Sequence, residues 1–237
     1  VETAADKSLH RFSARRWTGF HESDVMSEAP ARPPAASVNQ ALHQGLPEEG
    51  VELMDRVLQW SASNTPAQST AHGEPLLDHG LATACILSGM QTDAATRAAA
   101  ILVMRPEAPH ESRLDPITEY FGPEVGRLVQ GTRALLRLGS IARGAVQHGS
   151  NQVDHADQQE MLRKMLLAMA ADLRIVLIRL ASRLQTLRWH AFSKTPCESA
   201  FARETLDLYT PLANRLGFWQ IKWEMEDLAF RFTDPAK

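Results

Sequence analysis

Cysteine is scarce: the 237 residues hold two, Cys85 and Cys197, and no CxxC pair. That excludes a disulfide scaffold and a zinc knuckle. No apolar run approaches the roughly 18 residues that a membrane span needs. The arginines near the N-terminus precede no apolar core of a secretory signal, so the expected compartment is the cytoplasm. No stretch alternates apolar and polar residues between hairpin turns, so strands are not expected, and there is no internal repeat. A net charge of -3 argues against a general nucleic-acid binder. No Ser-His-Asp or Cys-His arrangement follows from residue order or spacing.

What is present is ordinary soluble composition, 44% hydrophobic and 22% charged, in a chain long enough for a sizeable core. Residues 1–45 stand apart. Pro30, Pro33 and Pro34 sit among small residues there, which resists both helix and sheet. This leader is read as flexible, with a short helical piece around Asp24. Its cluster "RFSARRWTGF" is a candidate for docking on the body or on a partner.

From Glu48 the pattern is helical. Pro47 and Glu48–Glu49 suit a helix start, and Val51, Met54, Val57 and Leu58 form a stripe running to Trp60. Further helices are expected at about 77–90 and 93–104, then two within 114–138, the second entered through Pro123. "GSIARGAVQHGSNQVDHA", residues 139–156, reads as a mobile connection. Beyond it follow the helix "QQEMLRKMLLAMA", one around 178–188, a long one over 198–215, and a last one over 219–232. The expected fold is all-α, with one domain over 46–232 and the start of a linker at 233–237.

The helix "IRLASRLQTLR", 178–188, has one oddity. Leu177, Leu180, Ala181, Leu184 and Leu187 recur at helical spacing and face a core. On the flank of that stripe sit Ser182 and Thr186, one turn apart and pointing the same way. Such an i, i+4 pair suits chemistry in a cleft, yet Ser and Thr are poor metal ligands and, alone, poor acids or bases.

The stretch "ETLDLYTPLANRLGFWQIKWEMEDLAFRF", 204–232, closely resembles the segment leading out of the N-terminal hydrolase domain of RelA/SpoT-type stringent-response proteins, which make and break (p)ppGpp. "LRKMLLAMAADLRIVLIRLASRLQTLR", "GEPLLDHGLATACIL", "TRAAAILVMRPEAP" and "YFGPEVGRLVQGTRALLRL" extend the likeness over roughly 48–235, and it fails in the leader. The resemblance implies an HD-type helical bundle. It also implies the family chemistry, removal of the 3′-pyrophosphate of (p)ppGpp by a metal-activated water, usually on Mn²⁺.

Carried over position by position, that implied site is degenerate. His79 stands where the family has its first His ligand, and Val103 and Met104 where it has a His-Asp pair. Ser182 stands where it has the Asp of "LADRLHNMR". The Glu-Asp pair that follows the His-Asp pair becomes Glu107 and Ala108, and the Asn after the ligand Asp becomes Thr186. The basic residue ahead of "GEP" becomes Thr70, and Gly80 replaces a proline. One imidazole holds a divalent ion poorly, because affinity needs several ligands in fixed geometry. No metal or other cofactor is therefore expected, and no catalytic residue is assigned.

Val103 and Met104 suit a pocket refilled as core. A buried Asp without its ion would be an unpaired charge, whereas burying Val or Met contributes about 1.5–3 kcal/mol. His79 is expected as a hydrogen-bonded histidine in a polar pocket and Glu107 as a solvated loop carboxylate. Ser182 and Thr186 are expected to bond nearby backbone or water, and His110, His148, His155 and His190 to lie at the surface. Arg163, Lys164, Arg174, Arg179, Arg183 and Arg188, against the single acid Asp172, make a candidate face for an anion or a partner. The alternative is neutralisation within the fold by acids of 198–234, such as Glu204 and Glu224.

The resemblance therefore implies a pseudo-hydrolase domain that regulates the adjoining synthetase domain of a RelA-like GTP pyrophosphokinase. That enzyme transfers pyrophosphate from ATP to GTP or GDP. The missing initial Met and the end at "FTDPAK" lead to the expectation of a fragment without its synthetase domain. The implied partners are that domain, the ribosome through the parent protein, and weakly bound guanine nucleotide, with no membrane. The alternatives are a residual metal-dependent (p)ppGpp 3′-pyrophosphohydrolase and a module that senses nucleotide without cleaving it.

Overall fold

The computed structural model describes residues 35–106, 116–146 and 172–233. They are helical, with no strand among them beyond an isolated bridge between Ser69 and Pro75. In chain order the helices begin with α1 (Ala35–His43), α2 (Glu48–Asn64), α3 (Leu76–Gly89) and α4 (Ala94–Leu102). They continue with α5 (Pro116–Phe121), α6 (Pro123–Val146), α7 (Leu173–Ser193) and α8 (Ser199–Glu204). A π-helical turn (Thr205–Tyr209) leads into α9 (Thr210–Arg215), and α10 (Trp219–Thr233) closes the described chain. None of these helices is long and apolar enough to cross a membrane.

The fold is organised around α7. It starts at Asp172, whose carboxylate accepts the Arg174 backbone N–H at 3.0 Å. It ends at Lys194 in a left-handed conformation, φ 54°. Helices α3, α4, α6 and α10 all pack on it. Every residue from Ile175 to Leu187 is buried, so this helix has no solvent face at all along its middle. The apolar stripe expected on one side is there, and its opposite side is buried as well.

Three expectations need correction. The leader is not loose through residue 45: Ala35–His43 is α1, with Leu42 buried at its end. The buried Arg97 of α4 then holds the far end, its guanidinium donating to the carbonyls of Leu42 at 2.8 Å and Gln44 at 2.9 Å. The segments around Asp24 and "RFSARRWTGF" lie outside the described residues.

Secondly, α6 runs through Gly139 and Gly144 to Val146, so the first part of the expected mobile connection is helix; residues 147–156 lie outside the described chain, as does "QQEMLRKMLLAMA". Thirdly, the single helix expected over 198–215 is α8, the π turn and α9. Pro211 in "YTPLA" has no N–H to return to residue 207. The ladder widens just before it, with the Thr210 N–H donating to the Thr205 carbonyl.

Candidate functional site

Loop 65–75 folds back on itself ahead of α3. The Thr70 N–H donates to the Glu74 carbonyl at 2.7 Å, and the Leu76 N–H to the Gln68 carbonyl at 2.9 Å. The Thr70 hydroxyl also accepts the His72 N–H at 3.3 Å, so this residue shapes the loop. The result is that Glu74 points inward and is 3% exposed.

There it meets His79, in the first turn of α3 and equally buried. One Glu74 oxygen lies 2.6 Å from His79 Nδ1, and the other accepts from the Gln185 amide at 2.6 Å. On the far side of the ring, His79 Nε2 lies 2.8 Å from Ser182 Oγ. With Glu74 ionised, Nδ1 carries the proton and Nε2 accepts from the serine hydroxyl. Both ring nitrogens are engaged, one by loop 65–75 and one by α7. The Thr186 hydroxyl donates to the Ser182 carbonyl at 3.2 Å, the local backbone bond expected of it.

The end of α4 forms the next wall. Val103 is buried, and Met104 is partly buried against the core. Across from them is Gly80, where a Cβ would lie 3.1 Å from Ile101 Cα and 3.1 Å from Met104 Cγ. The missing side chain is what lets α3 approach α4 so closely. Among the described residues no group of three or more His, Cys, Asp or Glu side chains converges where it could hold a metal ion. Glu107 and Ala108 lie outside the described residues.

The Ser182–His79–Glu74 order is that of a hydrolytic triad, yet the hydroxyl sits in mid-helix, where the neighbouring backbone N–H groups are spent on the helix itself. The helix backbone beside Ser182 therefore offers no free donor to an oxyanion. The arrangement holds a loop against two helices.

Of the residues expected on a basic face, two of the described ones are buried instead. Arg179 and Arg183 point inward toward α8 and the π turn, and Arg183 is 0% exposed. Its guanidinium donates to Thr205 Oγ1 at 2.8 Å and pairs with Glu204 at 2.8 Å. It also lies 3.5 Å from the centre of the Phe201 ring. Burial lowers its pKa, and Tyr209 and Glu204 oppose that effect. Arg179 donates to the Tyr209 hydroxyl at 2.8 Å.

Arg188 binds Glu224 of α10 with two hydrogen bonds, at 2.5 and 2.7 Å. Arg174 bridges Asp172, Asp93 and Glu124. Arg163 and Lys164 lie outside the described residues. Of the four described arginines, Arg174, Arg183 and Arg188 pair with acids within the fold, and Arg179 meets the Tyr209 hydroxyl and ring instead.

A second polar cluster lies one turn further along α7. The indole N–H of Trp189 donates to the His72 carbonyl at 3.1 Å, and His190 Nε2 lies 3.1 Å from His72 Nδ1. His190 is 4% exposed, which corrects its expected surface position. Burial lowers its pKa, against the opposing influence of Thr195, Glu198 and Glu74.

Residue order does not point to Glu74, Gln185 or His72 as members of these clusters. The retrievable signal is on α7, where Ser182, Gln185, Thr186 and Trp189 fall at i, i+3, i+4 and i+7 and so form a polar stripe along a helix otherwise built for a core.

Comparisons with known proteins agree with this architecture. A family model described as an HD domain matches residues 57–219. The chain is 35% identical over 189 residues to the GTP pyrophosphokinase rsh of Brucella abortus, covering 80% of this chain and 24% of that protein. It is 34% identical over 239 residues to a probable GTP pyrophosphokinase of Mycobacterium leprae, 100% of this chain and 27% of that one. To the GTP pyrophosphokinase of Myxococcus xanthus it is 33% identical over 218 residues, 92% and 27%. The chain thus spans about a quarter of the length of these curated relatives. With its helices and these likenesses together, the chain belongs to the HD-domain family and is an HD-type domain of a RelA/SpoT protein.

Proposed function

We propose that this domain is a catalytically inactive (p)ppGpp pseudo-hydrolase that regulates the synthetase domain of a RelA-like GTP pyrophosphokinase in the cytoplasm. The observation that carries the reading is the occupation of His79. Its Nδ1 is held by Glu74 and its Nε2 by Ser182, and the neighbouring positions 103 and 104 offer a valine and a methionine. This donor set does not suit Mn²⁺: the imidazole has no free lone pair, the Glu74 carboxylate beside it is already engaged by His79 and Gln185, and the other groups are a hydroxyl and a thioether.

A regulatory role is supported by α10. Trp219, Trp223 and Phe230 are 55%, 62% and 59% exposed. At 100° per residue they fall within about 40° of one another, on a single face. Such an apolar stripe suits packing against another domain, and we assign it to the synthetase domain. Ribosome contact and weak guanine-nucleotide binding belong to the parent protein in this reading.

The test is incubation of the purified chain with ppGpp and excess Mn²⁺, following release of GDP and pyrophosphate. No release above the buffer blank is expected. Turnover that disappears in His79→Ala would overturn the proposal. In the parent enzyme, Trp219→Ser/Trp223→Ser should change the rate of pyrophosphate transfer, and an unchanged rate would remove α10 as the regulatory face.

A further inference from the structure

Loop 65–75 meets α7 at two places. One is the Gln185–Glu74–His79–Ser182 chain already described. The other is a pair of imidazoles that takes no part in that chain. His72 Nδ1 and His190 Nε2 stand 3.1 Å apart, although 118 residues separate them in sequence.

The fold holds both rings in place. The His72 N–H donates to Thr70 Oγ1 at 3.3 Å, and its carbonyl accepts the Trp189 indole N–H at 3.1 Å. The His72 ring packs against Phe201 of α8, with ring centres 4.6 Å apart. His190 is buried, with the Phe232 ring of α10 centred 6.1 Å away. Its Nδ1 faces the Thr195 carbonyl at 3.3 Å and the Thr195 hydroxyl at 3.2 Å. A proton on Nδ1, donated to that carbonyl, leaves a lone pair on Nε2 turned toward His72. Metal-binding histidines are commonly oriented by such a bond from their outer nitrogen.

The spacing suits an ion. Two nitrogens bound at about 2.0–2.1 Å to one tetrahedral ion lie about 3.3 Å apart, close to the 3.1 Å between this pair. The ring centres are 5.1 Å apart and the planes stand at 82°. A head-on hydrogen bond of the same length would set the centres farther apart. The contact is therefore bent, as it is when two rings turn toward a third point. Charge and access agree with this. Glu198 and Glu74 both favour positive charge at His190, and His72 is only partly buried, which leaves a side for entry and for water ligands.

We propose that His72 and His190 form a two-histidine site for Zn²⁺, completed by water, which staples loop 65–75 to α7. In the ion-free chain a hydrogen bond joins the same two nitrogens. Imidazole nitrogen favours a borderline ion such as Zn²⁺ over Mg²⁺, which prefers oxygen ligands. The site shares no ligand with the His79 pocket, so it stands whether or not the domain hydrolyses anything.

The test uses the whole chain, stripped of metal with a chelator at about pH 7.5, and ZnCl₂ alone as the probe. Histidine ring nitrogens are followed by NMR and assigned by through-bond correlation to the backbone. The His72 and His190 signals should shift together and level off at one equivalent of Zn²⁺, and MgCl₂ should leave them in place. The amides of Thr70 and Leu76, which close the loop, should exchange at least tenfold more slowly with Zn²⁺ bound. The thermal midpoint should climb with Zn²⁺ concentration, and His72→Gln and His190→Gln should each lose that climb.

Ring signals that stay in place at tenfold excess Zn²⁺, or movement of only one of the two, would overturn the site. So would a variant that keeps the full Zn²⁺-dependent climb. Unchanged exchange at Thr70 and Leu76 would overturn the staple. If neither variant folds, the wild-type ring signals and loop exchange decide alone.

Discussion

Removal of Glu74 should be costly. The residue is buried, and each of its oxygens receives one hydrogen bond, from His79 Nδ1–H and from the Gln185 amide, both at 2.6 Å. Glu74→Ala removes both acceptors and leaves two buried donors unpaired. Each orphaned donor costs about 1–3 kcal/mol, so the total is about 2–6 kcal/mol, a large share of the ~5–15 kcal/mol that holds a typical domain folded. Glu74→Gln keeps one acceptor and should cost about half as much. Ser182→Ala leaves only His79 Nε2 unpaired, for about 1–3 kcal/mol.

Because Glu74 and Ser182 share one imidazole and fix its tautomer between them, the Glu74→Gln/Ser182→Ala pair should couple by roughly 0.5–3 kcal/mol rather than add. Equilibrium urea unfolding followed by far-UV circular dichroism measures all of these, with the exposed Glu52→Ala as control. A midpoint for Glu74→Ala no lower than that of the control would refute the network as drawn. Strict additivity of the pair would refute the shared histidine.

Gly80→Ala should destabilise by about 1–3 kcal/mol, since the new Cβ would press on the Ile101 backbone at 3.1 Å; a neutral effect in the same unfolding assay contradicts the close α3–α4 approach. Val103→His/Met104→Asp/Ser182→Asp returns three ligand types beside His79, so Mn²⁺ binding by electron paramagnetic resonance is expected in this variant and not in the wild type; a folded variant that binds no Mn²⁺ would show that these positions do not converge. The hydrogen bonds from Arg174 hold Asp172 below the ordinary carboxylate range. In Asp93, the bonds from Thr96 and the charge of Arg174 outweigh burial and also lower the pKa. Their contribution is complete above the ordinary value of 3.8 and is lost as pH falls through the depressed values. Arg174→Met should therefore weaken the fold at neutral pH and flatten the acid limb of its stability profile, and an unchanged limb in a pH series of thermal melts would contradict the bridge.

Much of this was legible in the residues. Apolar spacing places α2, α3, α4 and α10 within a few residues of where they form, since a helix that packs on a core must repeat its apolar side chains every turn. That Val103, Met104 and Ser182 offer no carboxylate or imidazole is a matter of side-chain chemistry and needs no coordinates.

Which partners these side chains find was decided only in three dimensions. Periodicity says which residues share a helix face; it does not say how many faces are covered. The arginines of α7 look like a solvated basic surface until α3, α4, α6 and α10 close around it. Arg183 then finds Glu204 and the Phe201 ring from a segment about twenty residues on. The Ser182–His79 and His72–His190 contacts join positions 103 and 118 residues apart. Their meeting follows from the way one loop and one helix are pressed together by the core between them, where a buried polar group persists only if the fold brings it a partner.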